Sequence, residues 1–124
     1  LRTFWHEYGH YVDDSRTSRR ILRGVLERDG FEVLDEAANG EEGYLKYKQL
    51  QPDIVTMDIT MPVMDGIESL TLIKKANPES KVIMITAAGQ KEKMVEALKR
   101  GADEFITKPF DENEVLNALK HVLD

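Results

Sequence analysis

Apolar residues in this chain follow two rhythms, compact runs and a three-and-four spacing, and the two alternate. Arg16 to Arg28 places Ile21, Leu22, Val25 and Leu26 at helical spacing, with Ser15 as N-cap and Asp29-Gly30 as terminator. Phe31 to Ala37 predicts a strand, and Gly40 to Leu50 a helix carrying Tyr44, Leu45 and Tyr47 that stops before Pro52. Asp53 to Asp58 predicts a short buried strand, and Met61 to Gly66 a loop. Ile67 to Ala76 reads as a helix with Leu70 and Ile73 inside, ended by Asn77-Pro78. Lys81 to Thr86 is a continuous apolar strand. Gln90 to Arg100 is a helix with Met94, Val95 and Leu98, closed by Gly101. Asp103 to Thr107 is the last strand, and Asp111 to Leu123 the last helix, with Val115, Leu116, Leu119 and Val122 facing in.

Strand followed by helix at intervals of about 25 residues is the pattern of βαβ units with right-handed crossovers. Five units fill the chain if a first strand precedes Asp13, within Phe4 to Val12. The predicted fold class is α/β, a doubly wound (βα)5 five-stranded parallel sheet, in one domain over residues 1–124.

Composition narrows the function classes. Of the 124 residues, 41% are hydrophobic and 32% charged, as in a water-soluble globular protein. The net charge of -6 argues against direct nucleic-acid binding by a general basic surface. With no cysteine there is no disulfide and no thiolate metal site, which is compatible with a cytoplasmic location. No apolar run approaches the roughly 20 residues that span a bilayer, so no membrane insertion is expected.

The chemistry collects at strand ends. Asp13 and Asp14 follow Tyr11-Val12, Asp58 closes Asp53 to Met57, and Lys108 follows Phe105-Ile106-Thr107. In a parallel sheet these ends lie side by side, where open α/β folds bind ligands. Three crowded carboxylates call for a cation, and hard oxygen ligands favour Mg²⁺. A lysine opposite them suits an anion that arrives and leaves, as at a phosphoryl-acceptor site.

Asp13-Asp14, Asp58 within Asp58-Ile59-Thr60-Met61-Pro62-Val63-Met64-Asp65-Gly66, Thr86-Ala87, and Lys108-Pro109-Phe110 together resemble the receiver domain of two-component response regulators. The resemblance covers roughly residues 11–124 and implies a flavodoxin-like sheet in the order 2-1-3-4-5. It implies that Asp58 is the phosphoacceptor, a carboxylate nucleophile that becomes an acyl phosphate. It makes Asp13, Asp14, Asp58 and the backbone carbonyl of Thr60 the ligands of Mg²⁺. Lys108 would pair with a phosphoryl oxygen, and the Lys108–Pro109 bond would be cis and aim it inward. Thr86 would be the switch hydroxyl, and Phe105 the aromatic that turns inward when the hydroxyl moves. Such a protein is no enzyme in the ordinary sense: it catalyses its own phosphorylation and dephosphorylation.

The implied partners are a histidine kinase and a target protein that reads the changed surface. The stretches Asp58 to Pro62 and Thr86 to Gln90 are similar to stand-alone chemotaxis regulators, whose targets are a flagellar motor switch protein or a phosphatase. A receiver excised from a longer regulator is the close alternative.

The start of the chain departs from the family. A central parallel strand is buried on both faces and should be aliphatic. Here Phe4 to Val12 offers only Val12, with Gly9 and His10 inside. An altered N-terminus that still serves as first strand is expected. If it fails to serve, a phosphorylation-impaired scaffold or a strand-exchanged dimer replaces the monomer. His6-Glu7-Tyr8-Gly9-His10 also matches H-E-x-x-H, which binds Zn²⁺ only on a helix. On a strand, His6 and His10 stand about 13 Å apart. His121 is the remaining histidine for a third ligand.

Overall fold

The computed structural model describes residues 8–12, 16–28, 32–37, 39–59, 64–87, 89–108 and 110–123, leaving out the side chains of residues 8–12, 16–21 and 32–37. Strands and helices alternate: β1 (Tyr8–Val12), α1 (Arg16–Arg28), β2 (Glu32–Ala37), α2 (Gly40–Leu50), β3 (Ile54–Asp58), α3 (Gly66–Ala76), β4 (Val82–Thr86), α4 (Lys91–Lys99), β5 (Glu104–Thr107) and α5 (Glu112–Leu123). The five strands form one sheet in the order β2-β1-β3-β4-β5, and every pairing is parallel. The predicted α/β class and strand order both hold.

The atypical first segment does form the second strand of the sheet. Tyr8–Val12 pairs with β2 on one side and β3 on the other. Its register against β2 shifts between Gly9 and His10, so that Leu34 is passed over. A glycine inside a strand commonly marks such an irregularity. Because Tyr8, Gly9 and His10 are extended, they do not supply the helix that H-E-x-x-H requires. His6 and Glu7 lie outside the described residues, and His121 is engaged with Glu104 of β5, its Nδ1 2.5 Å from Oε2.

Alternate residues of each central strand feed two apolar layers, as the period of two demands. Ile54, Ile83, Ile85 and Ile106 meet Leu22, Val25 and Leu26 of α1 and Val115, Leu119 and Val122 of α5. Val55, Met57, Val82 and Met84 meet Tyr47 of α2, Leu70 and Ile73 of α3 and Ala97 of α4. β3 and β4 are buried along their whole length, which is why both read as unbroken apolar runs.

α4 differs from its sequence pattern. Ala97 is the residue it buries, while Val95 and Leu98 each remain 41% exposed. Positions 95 and 98 share a helix face centred about 130° from the one that holds Ala97, so the sheet receives the small side chain and solvent the larger two.

Two capped helix starts meet at the sheet's carboxyl edge. Asn39 Oδ1 accepts from the Glu42 amide at 2.9 Å, and Asp65 Oδ1 from the Glu68 amide at 2.9 Å. The Gly40 amide donates to the Met64 carbonyl at 3.0 Å, and Ser69 Oγ to the Gly40 carbonyl at 2.7 Å. A Cβ on Gly40 would stand 2.3 Å from Met64 O, so only glycine lets α2 approach this closely.

Candidate functional site

Parallel pairing brings the ends of β1, β3, β4 and β5 together. Val12 lies beside Met57, Asp58 beside Ile85, and Thr86 beside Thr107. Each of the candidate residues Asp13, Asp58 and Lys108 is therefore at, or next in sequence to, a strand end on one edge of the sheet.

Asp58 is the last residue of β3 and only 5% exposed. Met57 and Ile59 on either side are fully buried, which fixes the backbone beneath the carboxylate. The Ile59 amide donates to the Ile85 carbonyl at 3.0 Å, and the Gly66 amide to the Ile59 carbonyl at 2.7 Å. Gly66 thus closes the loop directly under Asp58. A Cβ there would stand 2.0 Å from Asp58 O and 2.8 Å from Asp58 C, distances no backbone tolerates.

Lys108 arrives from the other side of β4. Its amide donates to the Thr86 carbonyl at 2.7 Å, and its Nζ lies 2.5 Å from Asp58 Oδ2. The two side chains are 26% and 7% exposed. Largely desolvated, this ion pair is stronger than one on an open surface.

Thr86 is 2% exposed at the end of β4. Its hydroxyl lies 3.1 Å from Gln90 Oε1 and 3.2 Å from the Ala87 carbonyl, and the Ala87 amide donates to the same Gln90 oxygen at 2.8 Å. Phe105 sits on β5, opposite Met84, partly buried against the α2–α4 layer. It therefore belongs to the sheet face whose helices follow Asp58 and Thr86.

Asp13, Asp14, Thr60 and Pro109 lie outside the described residues, so the expected ligand set and the cis bond are not part of this geometry. Among the described residues no cluster of three or more His, Asp or Glu side chains is present. The described donor that faces the site, the Asp58 carboxylate, is a hard oxygen of the kind Mg²⁺ prefers. Val12 pairs with Met57, and in sequence Asp13 follows Val12 as Asp58 follows Met57. A small divalent cation fits that chemistry.

Sequence reasoning missed two participants. Gly66 belongs to the motif that begins at Asp58, but only the fold shows its close approach to the Asp58 backbone, for which a glycine directly after a capping Asp65 is the signal. Gln90 belongs to the stretch Thr86 to Gln90, but the sequence assigns it no role, and only the fold shows its side-chain oxygen against the Thr86 hydroxyl.

A family model for the response regulator receiver domain matches residues 10–120. The chain belongs to that family. Chemotaxis protein CheY of Thermotoga maritima is 48% identical over 111 residues, spanning 90% of this receiver and 92% of that protein. Chemotaxis protein CheY of Bacillus subtilis is 44% identical over 113 residues, spanning 91% and 94%. The receiver also superposes on a chain in the crystal structure of a CheX-CheY-BeF3-Mg+2 complex from Borrelia burgdorferi. The TM-score is 0.91 at 40% identity, with 95% of this receiver and 90% of that chain covered. The receiver-domain assignment drawn from Asp13-Asp14, the motif from Asp58 to Gly66, Thr86-Ala87 and Lys108-Pro109-Phe110 therefore stands, and the kinship lies with chemotaxis-type regulators. Among the described residues, no helix is long and apolar enough to cross a membrane.

Proposed function

We propose that this receiver takes a phosphoryl group onto Asp58 from a phosphohistidine kinase and thereby alters a surface that a target protein reads. The observation that carries the proposal is the buried Asp58 carboxylate held by Lys108 Nζ at 2.5 Å, beside the Thr86 strand end.

The Asp58 carboxylate attacks phosphorus in line, the phosphorus–nitrogen bond to the donor imidazole breaks, and that nitrogen keeps the electron pair. An acyl phosphate results. Lys108 then follows the charge from the carboxylate to a phosphoryl oxygen. Asp13, Asp14, Asp58 and the Thr60 carbonyl would hold Mg²⁺, which when bound offsets the negative charge gathering on the phosphoryl oxygens. Water later hydrolyses the acyl phosphate and resets the site. The receiver is thus a phosphoacceptor that catalyses its own chemistry and not an enzyme with a separate substrate.

Thr86 then donates its hydroxyl to the phosphoryl group, the start of α4 follows, and Phe105 repacks inward. The altered face comprises α4, β5 and α5. Val95 and Leu98 supply its exposed apolar part, and a groove of about 310 Å³ between β5 and α5, lined by Phe105, Ile106, Thr107, Glu114, Asn117 and Ala118, mixes polar and apolar groups. The CheY relatives support a chemotaxis role in the cytoplasm, with a flagellar motor switch protein or a phosphatase as target. The kinship with a CheY solved in a CheX-CheY-BeF3-Mg+2 complex supports a target that is itself a protein.

The test is phosphoryl incorporation from acetyl phosphate with and without Mg²⁺, in the wild type and in Asp58→Asn. One phosphoryl group per chain, dependent on Mg²⁺ and absent from Asp58→Asn, is the expected result. No incorporation by the folded wild type rejects the proposal.

A further inference from the structure

Gln90 Oε1 sits between two donors. The Ala87 amide, which can only donate, approaches it at 2.8 Å, and this fixes the side-chain amide with its oxygen toward the β4–α4 turn. The Thr86 hydroxyl, at 3.1 Å from the same atom, must then offer its proton if it is to bond there. Its other neighbour, the Ala87 carbonyl at 3.2 Å, is also an acceptor. Both acceptors lie on the turn that leads into α4. The single hydroxyl proton of Thr86 is committed to this turn.

A switch hydroxyl that is to donate to a phosphoryl oxygen must give up that commitment. We propose that Gln90 is a positioning residue, a latch that holds Thr86 and the start of α4 in the unphosphorylated arrangement. Resting on the reading of Asp58 as phosphoacceptor and Thr86 as switch, it adds the residue that sets the balance between the two states. Gln90 competes with the phosphoryl group for the same proton. It also anchors the Ala87 amide, so the turn and the hydroxyl move together. A ligand that stabilises one of two states shifts their populations by its differential affinity, and an internal acceptor works the same way.

The placement of Gln90 suits a latch. It precedes α4 at φ -104° and ψ 32°, outside the extended region of the caps at Asn39 and Asp65, and its side chain does not cap its own helix. Its oxygen instead reaches back to the strand. The Met94 amide donates to the Gln90 carbonyl at 3.0 Å, so displacement of Gln90 is passed to the first turn of α4.

The test uses Gln90→Met, which keeps an unbranched side chain of similar length and removes the acceptor, with Gln90→Ala as a second variant should the first repack. The first readout is amide hydrogen exchange of Ala87 in the unphosphorylated protein without Mg²⁺. Exchange is expected to rise about fivefold, the equilibrium equivalent of one net hydrogen bond. The second is the rate of phosphoryl incorporation from subsaturating acetyl phosphate with Mg²⁺, measured in wild type, Gln90→Met, Thr86→Ala and the double variant. Incorporation is expected to quicken about fivefold in Gln90→Met and by nothing further when added to Thr86→Ala, because the latch acts through the hydroxyl. An unchanged or slower rate in both Gln90 variants, unchanged exchange at Ala87, or equal quickening in the Thr86→Ala background overturns the latch. A wild type that incorporates nothing would instead reject the phosphoacceptor reading, so the two failures are distinguishable.

Discussion

Lys108 Nζ and Asp58 Oδ2 lie 2.5 Å apart although 50 residues separate them. The contact exists because β3 and β5 flank β4 and all three end together. It defines the site more sharply than any local motif does, and it makes each partner's function dependent on the other.

Replacing Lys108 by Met removes a charge-assisted hydrogen bond from a nearly buried carboxylate. Losing such a bond at the transferring phosphoryl group is expected to slow incorporation from acetyl phosphate by about tenfold or more. Lys108→Arg is expected to recover little of the loss, since a planar guanidinium does not reproduce a compact ammonium. Rates equal to wild type in both variants would remove Lys108 from the mechanism.

Gly66→Ala forces a methyl to within 2.0 Å of the Asp58 carbonyl, against backbone and not a flexible chain end. A loss of about 3 kcal/mol or more is expected in urea unfolding. Gly24 offers the opposite case. It lies within α1, and the site of its missing Cβ has nothing within 4 Å among the described residues, so Gly24→Ala should gain about 0.5–1 kcal/mol from helix propensity alone.

Thr56 is fully buried in β3, and its hydroxyl has no hydrogen-bond partner among the described residues. Thr56→Val keeps the shape and removes the stranded oxygen. Stabilisation of about 1 kcal/mol, seen as a melting point a few degrees higher, is the expected outcome. A lower melting point would mean that the hydroxyl has a bonding role.

Asp103 ties the far end of the sheet. Its Oδ2 accepts from the Val82 amide at 2.8 Å and from Lys74 Nζ at 2.9 Å, and Lys74 Nζ also donates to the Ser80 carbonyl at 2.5 Å. Asp103→Ala removes the acceptor of the Val82 amide and leaves Lys74 Nζ with the Ser80 carbonyl but no carboxylate, and it should cost about 1–3 kcal/mol in denaturant unfolding. Asp103→Asn keeps an oxygen for the Val82 amide and should cost less.

Mg²⁺ binding by the folded state alone should raise the melting point with metal concentration, by about 2.7 kcal/mol of stability at a hundred times the dissociation constant. Asp14→Asn is expected to flatten that rise. A thermal scan without response to Mg²⁺ in the wild type would leave the acidic edge without its cation.

Local pattern was sufficient for the elements. Leu22, Val25 and Leu26 recur at helical spacing, and α1 runs from Arg16 to Arg28 as that spacing requires. The unbroken apolar run of Val82 to Ile85 announced a strand buried on both faces, because a parallel sheet covered by helices exposes neither side. Asp58 and Lys108 were legible as site candidates because each stands at the end of such a run, and strand ends in this architecture converge, whereas Thr86 was legible only through the resemblance to receiver domains.

What pattern alone left open were relations between residues distant in sequence or matched atom by atom. Whether Tyr8–Val12, poor in aliphatic residues, would hold the second position of the sheet depended on two neighbouring strands offering backbone partners, with a register shift at Gly9 to accommodate it. That Ala97 and not Val95 or Leu98 would be buried followed from how α4 is rotated on the sheet, which its own periodicity does not specify. The bond from Thr86 to Gln90 and the close approach of Gly66 to Asp58 depend on turn geometry at the resolution of single atoms. Hydrophobic periodicity reports which face of an element seeks burial, and it thereby determined the α/β order and the edge where charge gathers. Side-chain partnership is set by packing in three dimensions, and only the folded chain decided it.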